Sequence, residues 1–231
     1  MALAFILLLA DLVATRSVIH TGDIVRVTAD GVQIKVAIGE IMVPKSDIVR
    51  VEAPKPATFD TASAAFKAGK FQEAAAGFKA VTDRYAGLNT PWAEEALVRL
   101  GEANIGAKNF TEAKRAFDTF KTLYPNSSLA AGMDVKYARV LLEQKDVARA
   151  TESLEGFLGP FLKRPFLTDD QEVAVAEALV LLGDCRLAAG QLDDALDNYL
   201  MVVTLYDSDA ERTAEAASKA EALKKRLAEK R

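Results

Sequence analysis

The sequence predicts a mainly α chain, a right-handed solenoid of helical pairs preceded by a small antiparallel β unit. Three observations carry this. One pattern recurs in "GKFQEAAAGFKAV" from Gly69, "KNFTEAKRAFDTF" from Lys108 and "GQLDDALDNYLMV" from Gly190: a turn, an apolar residue, Ala three on, an aromatic four further. Before Glu52 the apolar residues instead alternate singly with polar ones, the period of strands. Pro54 and Pro56 separate the two regimes. The 231 residues are 50% hydrophobic with a net charge of −4, enough apolar surface for packed cores. That charge is too mild for a nucleic-acid surface, and no Lys/Arg run is interleaved with aromatics, so nucleic acid is not an expected partner.

The chain opens with "MALAFILLLADLVATRS", whose apolar run from Ala2 to Ala10 is too short to span a bilayer as a helix but suits the core of an export signal. Residues 1–17 are therefore a candidate signal peptide, with Thr15 and Ser17 marking a cleavage that leaves a mature chain starting between Thr15 and Val18. No Lys or Arg precedes the run and Asp11 interrupts it; the alternative is a buried strand or helix. The first reading puts the protein in the periplasm or envelope, the second in the cytoplasm. Neither gives the mature chain a transmembrane helix. The single cysteine, Cys185, excludes an internal disulfide, and none lies near the end of the segment to make a lipoprotein signal.

Residues 18–53 read as a β module of four or five antiparallel strands. Ile24, Arg26 and Thr28 oppose Val25 and Val27, and Val32, Ile34 and Val36 oppose Gln33 and Lys35. Asp30-Gly31 offers the positive φ of a tight hairpin, Gly22-Asp23 and Gly39-Glu40 read as two more turns, and Pro44 ends a run ahead of Ile48 to Val51. The layout is similar to the small SH3-like barrels that bacterial envelope proteins place ahead of other modules. Residues 54–57 form a short linker stiffened by its prolines.

Residues 58–208 read as four helical pairs. The matched residues Phe71, Phe110, Val147 and Leu192 are each followed at three by Ala74, Ala113, Ala150 and Ala195, then by Phe78, Phe117, Leu154 and Tyr199. A helix that buries one stripe needs a partner, and a pair leaves a face for the next pair, which is why the pattern repeats. Thr90-Pro91, Asn109 with Glu112, and Thr168 with Gln171 are helix-start signatures. Residues 209–231 form a capping helix with the stripe Ala216, Ala220, Leu223 and Leu227.

This pattern resembles the tetratricopeptide repeat (TPR): Leu100-Gly101 and Leu182-Gly183 in first helices, Gly190 at a turn, Ala113 and Ala195, Phe117 and Tyr199, and Pro125 after a pair. Unit one has Thr61-Ala62 and unit three Tyr137-Ala138 where Leu-Gly is expected, and unit three lacks the turn glycine. "TLYPNSS" and "DRYAG" bring it nearest the bacterial periplasmic subclass, as in outer-membrane assembly lipoproteins and the Tol-Pal-associated cell-division coordinator. The resemblance implies a protein-binding scaffold without catalysis.

The residues point the same way. His20 and Cys185 alone make no zinc site and are not expected as a nucleophile pair. No phosphate-binding glycine loop or nucleophile elbow appears, so no catalytic, cofactor-binding or metal residues are expected. The pairs Asp169-Asp170 and Asp193-Asp194 sit in first helical turns, where they complement the helix dipole. In the connection "LGPFLKRPFLTDD", Phe161, Lys163, Arg164 and Phe166 form either an exposed binding loop or a packed cover between units three and four. In such arrays the first helices line a groove. Its candidate contacts are Phe59, Ser63 and Phe66; Val98, Glu102 and Ile105; Arg139 and Leu142; and Val180, Asp184 and Leu187. Of the family's carboxylate-clamp residue types only Arg139 is present, so the expected ligand is an extended or helical peptide with apolar anchors and a basic residue. The alternatives are a self-assembling structural subunit, joined through the array ends, or an enzyme with a scattered site.

Overall fold

The computed structural model describes residues 10–164 and 166–229. The apolar run from Ala2 to Leu9 lies outside them. Two compact units divide the chain after Pro125.

The N-terminal unit starts with five strands: β1 (Asp11–Thr15), β2 (Ile19–Val27), β3 (Gly31–Val36), β4 (Gly39–Pro44) and β5 (Ile48–Glu52). They form one antiparallel sheet in the order β4-β3-β2-β1-β5. The β module therefore begins at Asp11, not Val18. Asp11–Thr15, placed by the sequence reading in the signal segment, is a central strand, and a cut between Thr15 and Val18 would remove it. Gly22-Asp23 is not a turn. β2 runs through it, pairing with β1 up to Gly22 and with β3 from Asp23, and a Cβ on Gly22 would lie 2.0 Å from the Lys35 carbonyl oxygen. Glycine is needed there for close approach.

Four helices follow directly after Pro56: α1 (Ala57–Lys67), α2 (Phe71–Tyr85), α3 (Pro91–Gly106) and α4 (Phe110–Leu123). The sheet is not a separate module. Val13, Ile24, Val32, Ile34 and Val43 share one buried cluster with Phe59, Ala62, Phe78, Val81 and Tyr85. Asp11 explains the polar residue that interrupts the apolar run: its Oδ2 accepts from the Ile24 N–H at 2.7 Å and the Tyr85 hydroxyl at 3.2 Å. The Arg84 Nε donates to the Ile24 carbonyl at 2.8 Å. Burial raises the Asp11 carboxyl above its ordinary value despite these bonds. Burial, then the Asp11 charge, pushes Tyr85 up to about 12.

The C-terminal unit contains a 3₁₀ turn (Ser128–Gly132), α5 (Met133–Glu143), α6 (Val147–Phe161), α7 (Asp169–Ala188), α8 (Leu192–Leu205) and α9 (Ala210–Ala228). α7 is apolar nearly all round, as befits the helix at the centre of this core. Its start carries the capping box of Thr168 and Gln171. Thr90 and Asn109 make no such side-chain cap. Ala216, Ala220 and Leu223 of α9 are buried against α7 and α8 as a cap requires.

The Leu-Gly landmark has a steric cause. A Cβ on Gly101 would sit 2.2 Å from the Phe117 ring, and one on Gly183 would sit 2.4 Å from the Tyr199 ring. Glycine on the first helix makes the room that the aromatic on the second fills. Unit one reverses the roles, with Ala62 on the first helix against Gly77 on the second, 2.8 Å from where a Cβ would stand. At the turns, Gly69 and Gly190 have φ of 72° and 80°, and the same left-handed geometry is adopted by Lys108 at 61° and Lys145 at 66°. Lys145 thus occupies the position whose glycine is missing. Lys145→Gly is expected to stabilise the C-terminal unit by up to about 1 kcal/mol, because the Cβ penalty at positive φ is relieved; urea unfolding of the two proteins measures it.

Candidate partner-binding surfaces

In the N-terminal unit the first helices α1 and α3 meet through Phe66 and Arg99, the guanidinium lying 5.7 Å from the ring centroid. Arg99 also pairs with Glu95 at 3.3 Å and Glu102 at 3.1 Å. Val98, Glu102 and Ile105 fall on one stripe of α3, all half-buried, and Ser63 and Phe66 are half-buried on α1. These five remain reachable. Phe59 does not: it is buried edge-on against Phe78, with ring centroids 5.6 Å apart, and belongs to the core. The sequence reading missed Arg99, whose spacing from Glu95 and Glu102 on one helix was the available signal.

In the C-terminal unit the matching helices α5, α7 and α9 carry an ion network beside the half-buried Leu142 and Leu187. Glu177 is 7% exposed, and its carboxylate accepts from Lys136 at 3.0 Å and Arg139 at 3.1 Å. Asp184 accepts from the Tyr199 hydroxyl at 2.7 Å and from Lys219 at 2.7 Å. Lys219 pairs further with Glu215 at 2.9 Å, and Arg212 with Glu215 at 3.2 Å. Burial alone would raise the Glu177 carboxyl, but Lys136 and Arg139 outweigh it and hold the group below its ordinary value. Glu215 is likewise lowered, burial being outweighed by Lys219 and Arg212. The contacts expected on these helices are largely taken up within the unit. Val180 is buried core, whereas Arg139 and Asp184 are committed to stitching helices together. Leu142 and Leu187 pack partly against the core.

The long connection divides between its two readings. Phe161 packs against the core under Arg164, 5.1 Å from the ring centroid, whereas Phe166 is 88% exposed. His20 lines a pocket of about 400 Å³ on the β unit with Arg16, Met42 and Asp47, in a different unit from Cys185. Cys185 is buried, which raises its thiol and disfavours the thiolate. Among the described residues no group of three His, Cys, Asp or Glu side chains is placed to hold a metal ion, and no helix is long and apolar enough to cross a membrane.

The sequence profile of the tetratricopeptide repeat matches residues 59–128 and again 177–209. These two stretches carry tetratricopeptide repeats. Solved structures with a similar fold include a variant of a putative kinesin light chain with nearly identical TPR-like repeats from Podosopora anserina. It is 18% identical with a TM-score of 0.50, over 75% of this chain and 91% of that one. MamA from Desulfovibrio magneticus RS-1 is 17% identical over 75% and 90% of the two chains, TM-score 0.45. A thermophilic TPR protein of Thermus thermophilus is 18% identical over 71% and 79%, TM-score 0.46. No curated protein sequence matches this one. The fold is a TPR-like solenoid of helical pairs with a five-stranded antiparallel sheet at its N-terminus.

Proposed function

We propose that this protein is a non-enzymatic scaffold whose N-terminal repeats hold a peptide or protein segment against Phe66, Val98, Arg99, Glu102 and Ile105. The observation that carries this reading is the contrast between the two units. The stripe on α1 and α3 joins half-buried apolar side chains to a charged Arg99–Glu102 pair, the mixture that suits an extended or helical segment with an apolar anchor and a basic residue. The equivalent helices of the C-terminal unit spend their charges on one another. Replacing both Val98 and Ile105 with Glu is expected to change the stability of the unit by no more than about 1 kcal/mol. Recovery of co-purifying protein should drop by about thirty-fold in affinity, the worth of a lost apolar anchor. Unchanged recovery would count against the site.

The working place proposed is the bacterial cell envelope, as for the periplasmic and Tol-Pal-associated relatives that the repeat pattern resembles. The sheet order, with β2 shared between β1 and β3, supports an SH3-like reading of the N-terminal unit. The strand at Asp11 moves the expected processing point. A cut that spares β1 falls at or before the Ala10–Asp11 bond, where Ala10 supplies a small residue just before the cut and Leu8 departs from the second small residue of the usual pattern. N-terminal sequencing of protein from its native cells is expected to begin at or just before Asp11; a start at Met1 would refute export by a cleaved signal.

The self-assembly alternative through array ends is disfavoured by α9, whose outer face is alanine and charge rather than an open apolar stripe.

A further inference from the structure

We propose that two copies of the chain associate edge to edge through β5, joining their sheets about a two-fold axis at Val51. The sheet has two edges, and they differ. β4 is blunted in the usual way: Pro44 lacks a donor and Glu40 places a charge near the other end. β5 pairs with β1 on one side and with no described strand on the other, and "IVRVE" contains neither Pro nor Lys. Val49, next to the irregularity opposite Ala14 and Thr15, is exposed. The edge therefore offers open backbone groups and an apolar side chain to a second strand.

Geometry and charge select the occupant. Alternate residues of an edge strand point their N–H and C=O outward, so two identical antiparallel strands pair only in registers that match outward residues with outward ones. A register centred on Arg50 sets Arg50 against Arg50, and like charges directly opposite are unfavourable. The register centred on Val51 sets Arg50 against Glu52 of the second copy, twice by symmetry, and the irregularity at Val49 ends the regular ladder just before Arg50. Arg50 and Glu52 are 59% and 55% exposed and now pair with each other along the strand at 3.0 Å, so they exchange partners at little cost. The segment is self-complementary under a two-fold axis, as an isologous interface requires. Pro54 ends the ladder just beyond Ala53. So short an edge makes a weak dimer.

Sedimentation velocity of the full chain tests this. The wild type is expected to shift from monomer towards dimer between about 1 and about 200 µM, the range of a small, transient interface. Arg50→Glu and Glu52→Arg should each weaken association by about ten-fold or more, since each sets like charges opposite, and Arg50→Glu/Glu52→Arg should restore it to within about three-fold. A wild type that stays monomeric overturns the proposal. So does a dimer indifferent to the single reversals, or a double variant that stays as weak as the singles. Hydrogen exchange on the wild type gives an answer that needs no variant: the amides of residues 49–53 should gain protection in the concentrated sample, and equal exchange at both concentrations rejects the β5 interface.

Discussion

Glu177→Ala is expected to cost the C-terminal unit about 3–5 kcal/mol, because it removes the buried carboxylate on which two cations converge. Lys136 is 12% exposed, and both it and Arg139 lose the carboxylate they converge on. Glu177→Gln keeps the shape and an acceptor but not the charge, so it should fall between alanine and wild type. Acid acts on the same group. The folded-state value of Glu177 lies below the ordinary 4.5, so its contribution is complete above that value and disappears as pH falls through the lower one. Glu215 has the same sign. Asp11 has the opposite sign. Its value is raised above 3.8, so its ionisation opposes folding and the loss is recovered as the group is protonated. Below about pH 4.5 the C-terminal unit should therefore weaken through Glu177 and Glu215, while protonation of Asp11 relieves the N-terminal one. Hydrogen exchange read separately on α5–α7 and α1–α3 distinguishes this from a chain that responds uniformly.

Removing residues 11–52 is expected to destabilise α1–α3 by on the order of 3 kcal/mol or more. The deletion uncovers the apolar side chains that Phe59, Phe78 and Tyr85 share with the sheet, and it breaks the Asp11–Tyr85 and Arg84–Ile24 bonds. A chain starting at Pro56 should keep the exchange protection of α7 and α8 while losing that of α2. Undiminished protection of α2 would mean that the sheet is an appendage with its own core.

What could be read from the sequence followed the strength of local period. Ala113 with Phe117 and Ala195 with Tyr199 recur at helical spacing, so the pairs, their order and the cap at α9 were all legible. β1 was legible only as the alternative to an export signal, because Asp11–Thr15 continues an apolar run and its pairing with Gly22 and Val51 is what marks it as a strand. Gly22-Asp23 misled for a related reason. Glycine there serves a close crossing over Lys35, a tertiary contact that leaves the same local mark as a turn. The candidate contacts divided by partner rather than by position. Val98 and Ile105 stay reachable at the expected register, while Val180, at the register matching Val98 on α7, is covered by neighbouring helices. Arg139 and Asp184 were placed on the expected helices, but their partners, Glu177 and Lys219, lie 38 and 35 residues away, beyond the reach of a periodicity argument.

Site-resolved photo-crosslinking bears most directly on the central claim, that the α1–α3 stripe holds a protein segment. A photoreactive phenylalanine analogue placed singly at Phe66, Val98 or Ile105 of the full chain, in cells that make it, should give one discrete crosslinked protein common to the three sites. The same probe at Lys79 or Lys114, on the second helices, should give none. Crosslinks of equal yield from both sets of positions, or none from the stripe, would contradict the assignment.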